Sequence, residues 1–181
     1  MPEEDERLER ISRRNKHRKL ERVGYSIVAE RPPTSFHSGW LDGEFYFHVR
    51  QWIKKNIPRA YCLTTSAGFK LRNEDIRSPD VSVILPENPG YPDRRVKEFP
   101  RVVPDFLIEV RSPTDLEQEL RDKMQMWIAN GCRLGFLIDP SLRRASVYRP
   151  GPVITEHDYT DILSGANVLP GYRLCPAWVD E

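Results

Sequence analysis

Between Pro104 and Gly131 the alternation of apolar and polar positions changes its period twice. Phe106 to Val110 is a short apolar run that reads as a buried strand, and Ser112-Pro113 ends it. Side chains alternate along a strand, so Leu107, Glu109 and Arg111 share one face and Phe106, Ile108 and Val110 the other. Glu109 places a carboxylate where burial is costly without a partner. Thr114-Asp115-Leu116-Glu117 then fits a capping box, predicting a helix start at Thr114. Leu116, Leu120 and Trp127 recur at helical spacing, and at ~100° per residue Lys123 falls within their stripe. Asn130-Gly131 supplies a left-handed end to the helix, and Leu134 to Asp139 reads as a second buried strand. The unit is strand, helix, strand, with an inward glutamate on the first strand and an inward lysine on the helix. The two suit either a shared functional site or a structural ion pair.

The same reading predicts a helix over Ser38 to Asn56, with Trp40, Phe47, Trp52 and Ile53 among its apolar positions and Pro58 closing it. Glu44 lies on that helix. Ala60 to Thr65 reads as a strand, Ser66-Ala67-Gly68 as a turn, and Phe69 to Leu71 as the hairpin partner. Ser78 to Leu85 is a further strand, with Val81, Val83 and Leu85 on one face and Asp80, Ser82 and Ile84 on the other. Asp80 stands at its mouth, where an Asp after Pro also serves as a turn residue. Pro86 to Pro104 is rich in proline and charge and reads as an exposed loop whose Arg94, Arg95 and Lys97 suit a phosphate ligand. Beyond the central unit, Asp139-Pro140 and a turn at Leu142-Arg143-Arg144 predict a hairpin to Ala145–Tyr148, and the tail from Val153 reads as short strands and turns. Tyr25 to Ala29 reads as a strand. Met1 to Arg22 alternates acidic and basic residues and reads as an appendage: a solvated helix with a narrow docking stripe, a disordered arm, or an arm along a phosphate backbone. The expected organisation is an arm over residues 1–24 and one domain over 25–181.

Composition narrows the picture. A chain of 181 residues suits a single core, and a net charge of +1 gives no global sign of nucleic-acid binding, so any basic surface must be local. Cys62, Cys132 and Cys175 are far apart and outside any Cys-x-x-Cys spacing, which argues for reduced thiols and against zinc. A charged N-terminus and no apolar run near ~18 residues predict a cytoplasmic protein with neither signal peptide nor membrane span.

No Gly-rich phosphate loop, no His-Glu-x-x-His and no Gly-x-Ser-x-Gly is present, and His17, His37, His48 and His157 are scattered. What remains is Asp80, Glu109 and Lys123. Two carboxylates are hard oxygen donors for a divalent cation, and an ammonium can orient water or stabilise charge developing on a phosphate.

Ser-Pro-Asp80-Val-Ser-Val, Pro-Asp-Phe-Leu-Ile-Glu109-Val-Arg-Ser-Pro, Lys123-Met and Asn130-Gly131-Cys-Arg-Leu-Gly-Phe-Leu-Ile-Asp139-Pro together resemble the Uma family of restriction-endonuclease-like proteins, within the PD-(D/E)XK nuclease superfamily. The resemblance runs from about Gly39 to Tyr172, including Thr65 to Phe69 and Val168 to Tyr172. It implies an α/β restriction-endonuclease-like fold with a mixed central sheet flanked by helices. It also implies Mg²⁺ or Mn²⁺ held by Asp80 and Glu109, with Glu44 as a helix-borne acidic contributor, and hydrolysis of DNA phosphodiester bonds. The superfamily's simplest pattern has lysine two residues after the second acid, whereas position 111 is Arg, which does not readily release a proton. Lys123 resembles a migrated catalytic lysine, leaving Arg111 to bind phosphate. A homodimer is compatible with cutting both strands. The alternative is a nuclease-fold module that binds nucleic acid or protein without cutting.

Overall fold

The computed structural model describes residues 7–8, 10–11, 20–24, 26–29, 35–72, 74–151 and 153–180. Its frame is a six-stranded mixed sheet formed by β3 (Tyr61–Thr64), β6 (Val81–Ile84), β7 (Phe106–Val110), β8 (Leu134–Asp139), β9 (Arg144–Tyr148) and β10 (Thr155–Asp158). Their order across the sheet is β10-β9-β8-β7-β6-β3. Only β7 and β8 pair in parallel, because α2 (Glu117–Asn130) carries the chain between them; the other neighbours are antiparallel.

One helix covers each face. α1 (Phe36–Asn56) buries Leu41, Phe45, Val49 and Ile53, four positions at i+4 spacing, against Val81, Val83, Phe106, Ile108 and Phe136. The Ser35 hydroxyl caps it by accepting from Ser38 N. On the other face α2 packs Met124 and Trp127 against Ile84, Leu107 and Leu137. It ends at Gly131, whose φ of 118° is open to glycine and strained for other residues.

A second sheet, in the order β2-β1-β5-β4, combines β1 (Leu20–Val23), β2 (Ser26–Ala29), β4 (Phe69–Lys70) and β5 (Ile76–Arg77). The tail supplies a two-stranded pair, β11 (Leu163–Ser164) and β12 (Arg173–Leu174), and a 3₁₀ turn over Pro176–Asp180.

Three expectations are corrected. The charged segment up to Arg22 is not wholly an appendage: Leu20–Val23 is a sheet strand whose two charged residues, Glu21 and Arg22, are buried because both find partners. In the same segment Leu8 is helical and buried, and most of the remaining arm lies outside the described residues. Next, Ala60–Thr65 and Phe69–Leu71 do not form a hairpin. β3 joins β6, while β4 leaves for the second sheet, where Phe69 packs edge-on to Trp127. Finally, α2 begins later than the capping box implies. Asp115 turns back to accept from Ser112 N at 2.9 Å, Glu117 pairs with Arg121, and Leu116 is the cap residue, 60% exposed. The inward stripe is therefore Leu120, Lys123, Met124 and Trp127.

Candidate active site

The register of β6 with β7 sets Val81 against Ile108, and one step further along the same register sets Asp80 across from Glu109. Ile84 and Leu107 lie in the core beneath α2, so the alternation along β7 also turns Glu109 to that side. Asp80 Oδ2 accepts from Val110 N at 2.8 Å and thereby ties the mouth of β6 to the end of β7. Its Oδ1 makes no hydrogen bond among the described residues.

Glu109 is 1% exposed, and its burial is offset by two donors from α2. Lys123 Nζ lies 3.2 Å from its carboxylate oxygens, and Trp127 Nε1 donates to Oε1 at 3.1 Å. Lys123 and Trp127 are four residues apart and so stand on one helix face, one turn above the other. The ammonium also donates to the Ser78 carbonyl at 3.2 Å, which fixes it beside the segment leading to Asp80.

A second carboxylate reaches the same lysine from the second sheet. Glu21, 2% exposed on β1, lies 3.7 Å from Lys123 Nζ, accepts from Ser78 N at 2.7 Å and pairs with Arg77 at 3.1 Å. The ammonium thus lies between carboxylates from two sheets. Sequence reading missed Glu21 because an isolated Glu in a charged segment looks solvated. The available signal was the apolar frame Leu20 and Val23 followed by Gly24 and a second strand, a hairpin pattern.

The donor set suits a hard divalent cation: Asp80, bound to the N–H of Val110, and Glu109, its chain neighbour, supply carboxylate oxygens at the junction of β6 and β7. Among the described residues no three His, Cys, Asp or Glu side chains form a metal-binding group, so a cation there would complete its shell from water or substrate. Thiol chemistry is disfavoured, since burial pushes the Cys62 and Cys132 thiols up to about 12.

The other candidates fall elsewhere. Arg111 leaves Glu109 for Asp139, at 2.6 Å, and makes longer contacts of 3.4 Å to the Asp115 carbonyl; the Asp139 hydrogen bond raises the guanidinium's already high pKa. Glu44 is half-exposed on α1, which packs on the opposite face of the sheet from Glu109. Arg94 and Arg95 border an open surface depression with Tyr61 and Tyr91, beside the Ile84 end of β6 rather than its Asp80 end. Lys97 is exposed in the same loop.

A buried acid–lysine cluster at the end of a mixed, helix-flanked sheet is the arrangement of a restriction-endonuclease-like domain. The family model Uma2, described as "Putative restriction endonuclease", matches residues 2–177, and the chain belongs to that family. Among solved structures the fold matches "a putative nuclease belonging to DUF820 from Anabaena variabilis ATCC 29413", with a TM-score of 0.72, 20% identity and 87% of each chain covered. No curated protein matches the sequence. No helix among the described residues is long and apolar enough to cross a membrane.

Proposed function

We propose that the protein is a divalent-metal-dependent endonuclease that hydrolyses DNA phosphodiester bonds at the Asp80–Glu109–Lys123 cluster. The observation that carries this reading is the ammonium of Lys123 held 3.2 Å from Glu109, which itself stands across from Asp80. Asp80 and Glu109 would hold Mg²⁺ or Mn²⁺, which when bound supplies Lewis-acid charge to the phosphate and a more acidic water. Lys123 places a mobile proton and a positive charge where negative charge develops on the phosphate, and its contacts to Ser78 and Glu109 hold it in place beforehand. Trp127 keeps Glu109 oriented. Arg111, with its fixed charge, buttresses the 112–115 turn through Asp139 and the Asp115 carbonyl and offers its remaining N–H groups to a phosphate. Arg94, Arg95 and Lys97 add exposed phosphate contacts, and Glu44 is assigned at most an outlying acidic role. Cutting both strands would use two copies about a two-fold axis.

A second reading is favoured by one observation: both oxygens of Glu109 are engaged by Lys123 and Trp127, as in a structural ion pair. In that case the fold binds nucleic acid or a partner without cutting. Titration calorimetry with Mn²⁺ separates the two. The nuclease reading expects saturable binding in the wild type and loss in Asp80→Ala/Glu109→Ala; equal heats in both proteins would remove the metal site and with it this reading.

A further inference from the structure

A second set of groups sits at the opposite end of the same sheet face. Tyr61 pairs with Ile84 in register, and both pack with the core beneath α2, on the side that also holds Glu109. From Ile84 back to Asp80 is four strand residues, about 13 Å at ~3.3 Å per residue. There the rings of Tyr61 and Tyr91 stack, 4.7 Å apart and 13° from parallel. Their hydroxyls are turned to backbone: Tyr61 donates to the Pro92 carbonyl at 3.1 Å and Tyr91 to the Arg59 carbonyl. The rings are thus fixed as a two-ring platform whose polar ends are satisfied.

Against it lies an open surface depression of ≈580 Å³, lined by Tyr61, Tyr91 and Pro92–Arg95. Asp93 folds this lining by accepting from Arg95 N at 2.7 Å. The Arg59 and Arg94 charges act on the Tyr91 hydroxyl, and Arg95 borders the same space. None of the three guanidiniums makes a hydrogen bond or ion pair among the described residues, whereas Arg111, Arg121, Arg133 and Arg143 each pair with a carboxylate. Three unpaired guanidiniums beside a rigid aromatic platform combine what an unpaired nucleotide needs: a flat apolar face for the base and fork donors for the phosphate.

We infer that the Tyr61–Tyr91 platform with Arg59, Arg94 and Arg95 is a binding site for a nucleotide unit of an unpaired nucleic-acid strand, separate from the acid–lysine cluster. It deepens the nuclease reading by giving the substrate a single-stranded segment held away from the cutting site, yet its binding is measurable without cleavage.

The test is fluorescence anisotropy with a labelled ten-nucleotide deoxythymidine strand, in EDTA so that nothing is cut. Tyr91→Leu removes the platform and is expected to weaken binding about 5- to 150-fold, while Tyr91→Phe keeps the ring and should retain affinity. Arg94→Ala/Arg95→Ala touches no internal contact of these side chains and should make the log–log salt dependence shallower by about 1.4, at ~0.7 per phosphate on a single strand. A wild type that does not bind the strand, variants with unchanged affinity and slope, equal losses in Tyr91→Phe and Tyr91→Leu, or a duplex of the same length that competes as well as the strand would each overturn the proposal. If the strand binds as expected while plasmid stays uncut with metal, the site stands and the nuclease reading falls. If plasmid is cut and the variants bind like the wild type, the reverse holds.

Discussion

Replacing Lys123 by Met probes the cluster most sharply, because Met fills the lysine stem's volume and deletes only the charge and its donors. The Glu109 and Lys123 side chains are 2% and 13% exposed and lie 3.2 Å apart. Without the ammonium, the Glu109 carboxylate loses its lysine partner while the Trp127 N–H still donates to Oε1. Removing one partner of a buried ion pair costs about 3–5 kcal/mol, against 0–1 kcal/mol for a surface pair. Equilibrium urea unfolding at pH 7 should therefore show Lys123→Met less stable by about 3–5 kcal/mol at unchanged m. Lys123→Met/Glu109→Gln removes the carboxylate's charge as well while Gln still accepts from Trp127, and should recover to within about 1.5 kcal/mol of wild type. A Lys123→Met variant within about 0.5 kcal/mol of wild type, or a double variant no better than the single, would refute the argument that this pair is desolvated and mutually dependent.

Glu21→Gln keeps the acceptor for Ser78 N but removes the charge facing Arg77 and Lys123, so urea unfolding should show a loss of about 1–3 kcal/mol; an unchanged midpoint would detach Glu21 from the cluster. Trp127→Phe retains the ring packing and removes the indole N–H that donates to Glu109 Oε1, again for about 1–3 kcal/mol, and an isoenergetic variant would show that the indole N–H does not matter. Burial of His48 against Tyr172 and Trp178 lowers its pKa below the usual 6.5. A histidine held neutral in the fold contributes fully above the unfolded pKa and loses stability as pH falls through the depressed folded value. Melting temperature should thus drop below about pH 6.5 more steeply in the wild type than in His48→Gln; parallel profiles would contradict the assignment.

Much of the central unit was legible because its signals are local. Alternation grouped Glu109 with Leu107 and Asp80 with Ile84, and helical phase turned Lys123 inward; each follows from spacing within one element, whereas which face α2 covers comes from the packing. Glu21 was not legible because its burial depends on Ser78, Arg77 and Lys123, more than fifty residues away in the chain. Tertiary partners likewise decided the fate of Arg111, which shares a strand phase with Glu109 but leaves it for Asp139, and of Thr114, which lost the helix cap to a tighter Ser112–Asp115 turn. The separation of Arg94 and Arg95 from the acids is a matter of sheet register. Pairing of Tyr61 with Ile84 rather than with β4 sets it, and no pattern within the loop encodes that pairing.

The central claim is that Asp80, Glu109 and Lys123 act together on a phosphodiester bond. Its most direct test is supercoiled plasmid incubated with Mg²⁺ or Mn²⁺ and wild-type, Asp80→Asn or Lys123→Met protein, each confirmed folded by circular dichroism and assayed below its unfolding midpoint. The account predicts nicked or linear product with the wild type, its abolition by EDTA, and a fall of at least about 100-fold in rate for either variant, the lower bound for losing a group that acts on the transition state. Cleavage that persists in folded Asp80→Asn, or a wild type that leaves plasmid intact with both metals, would contradict it.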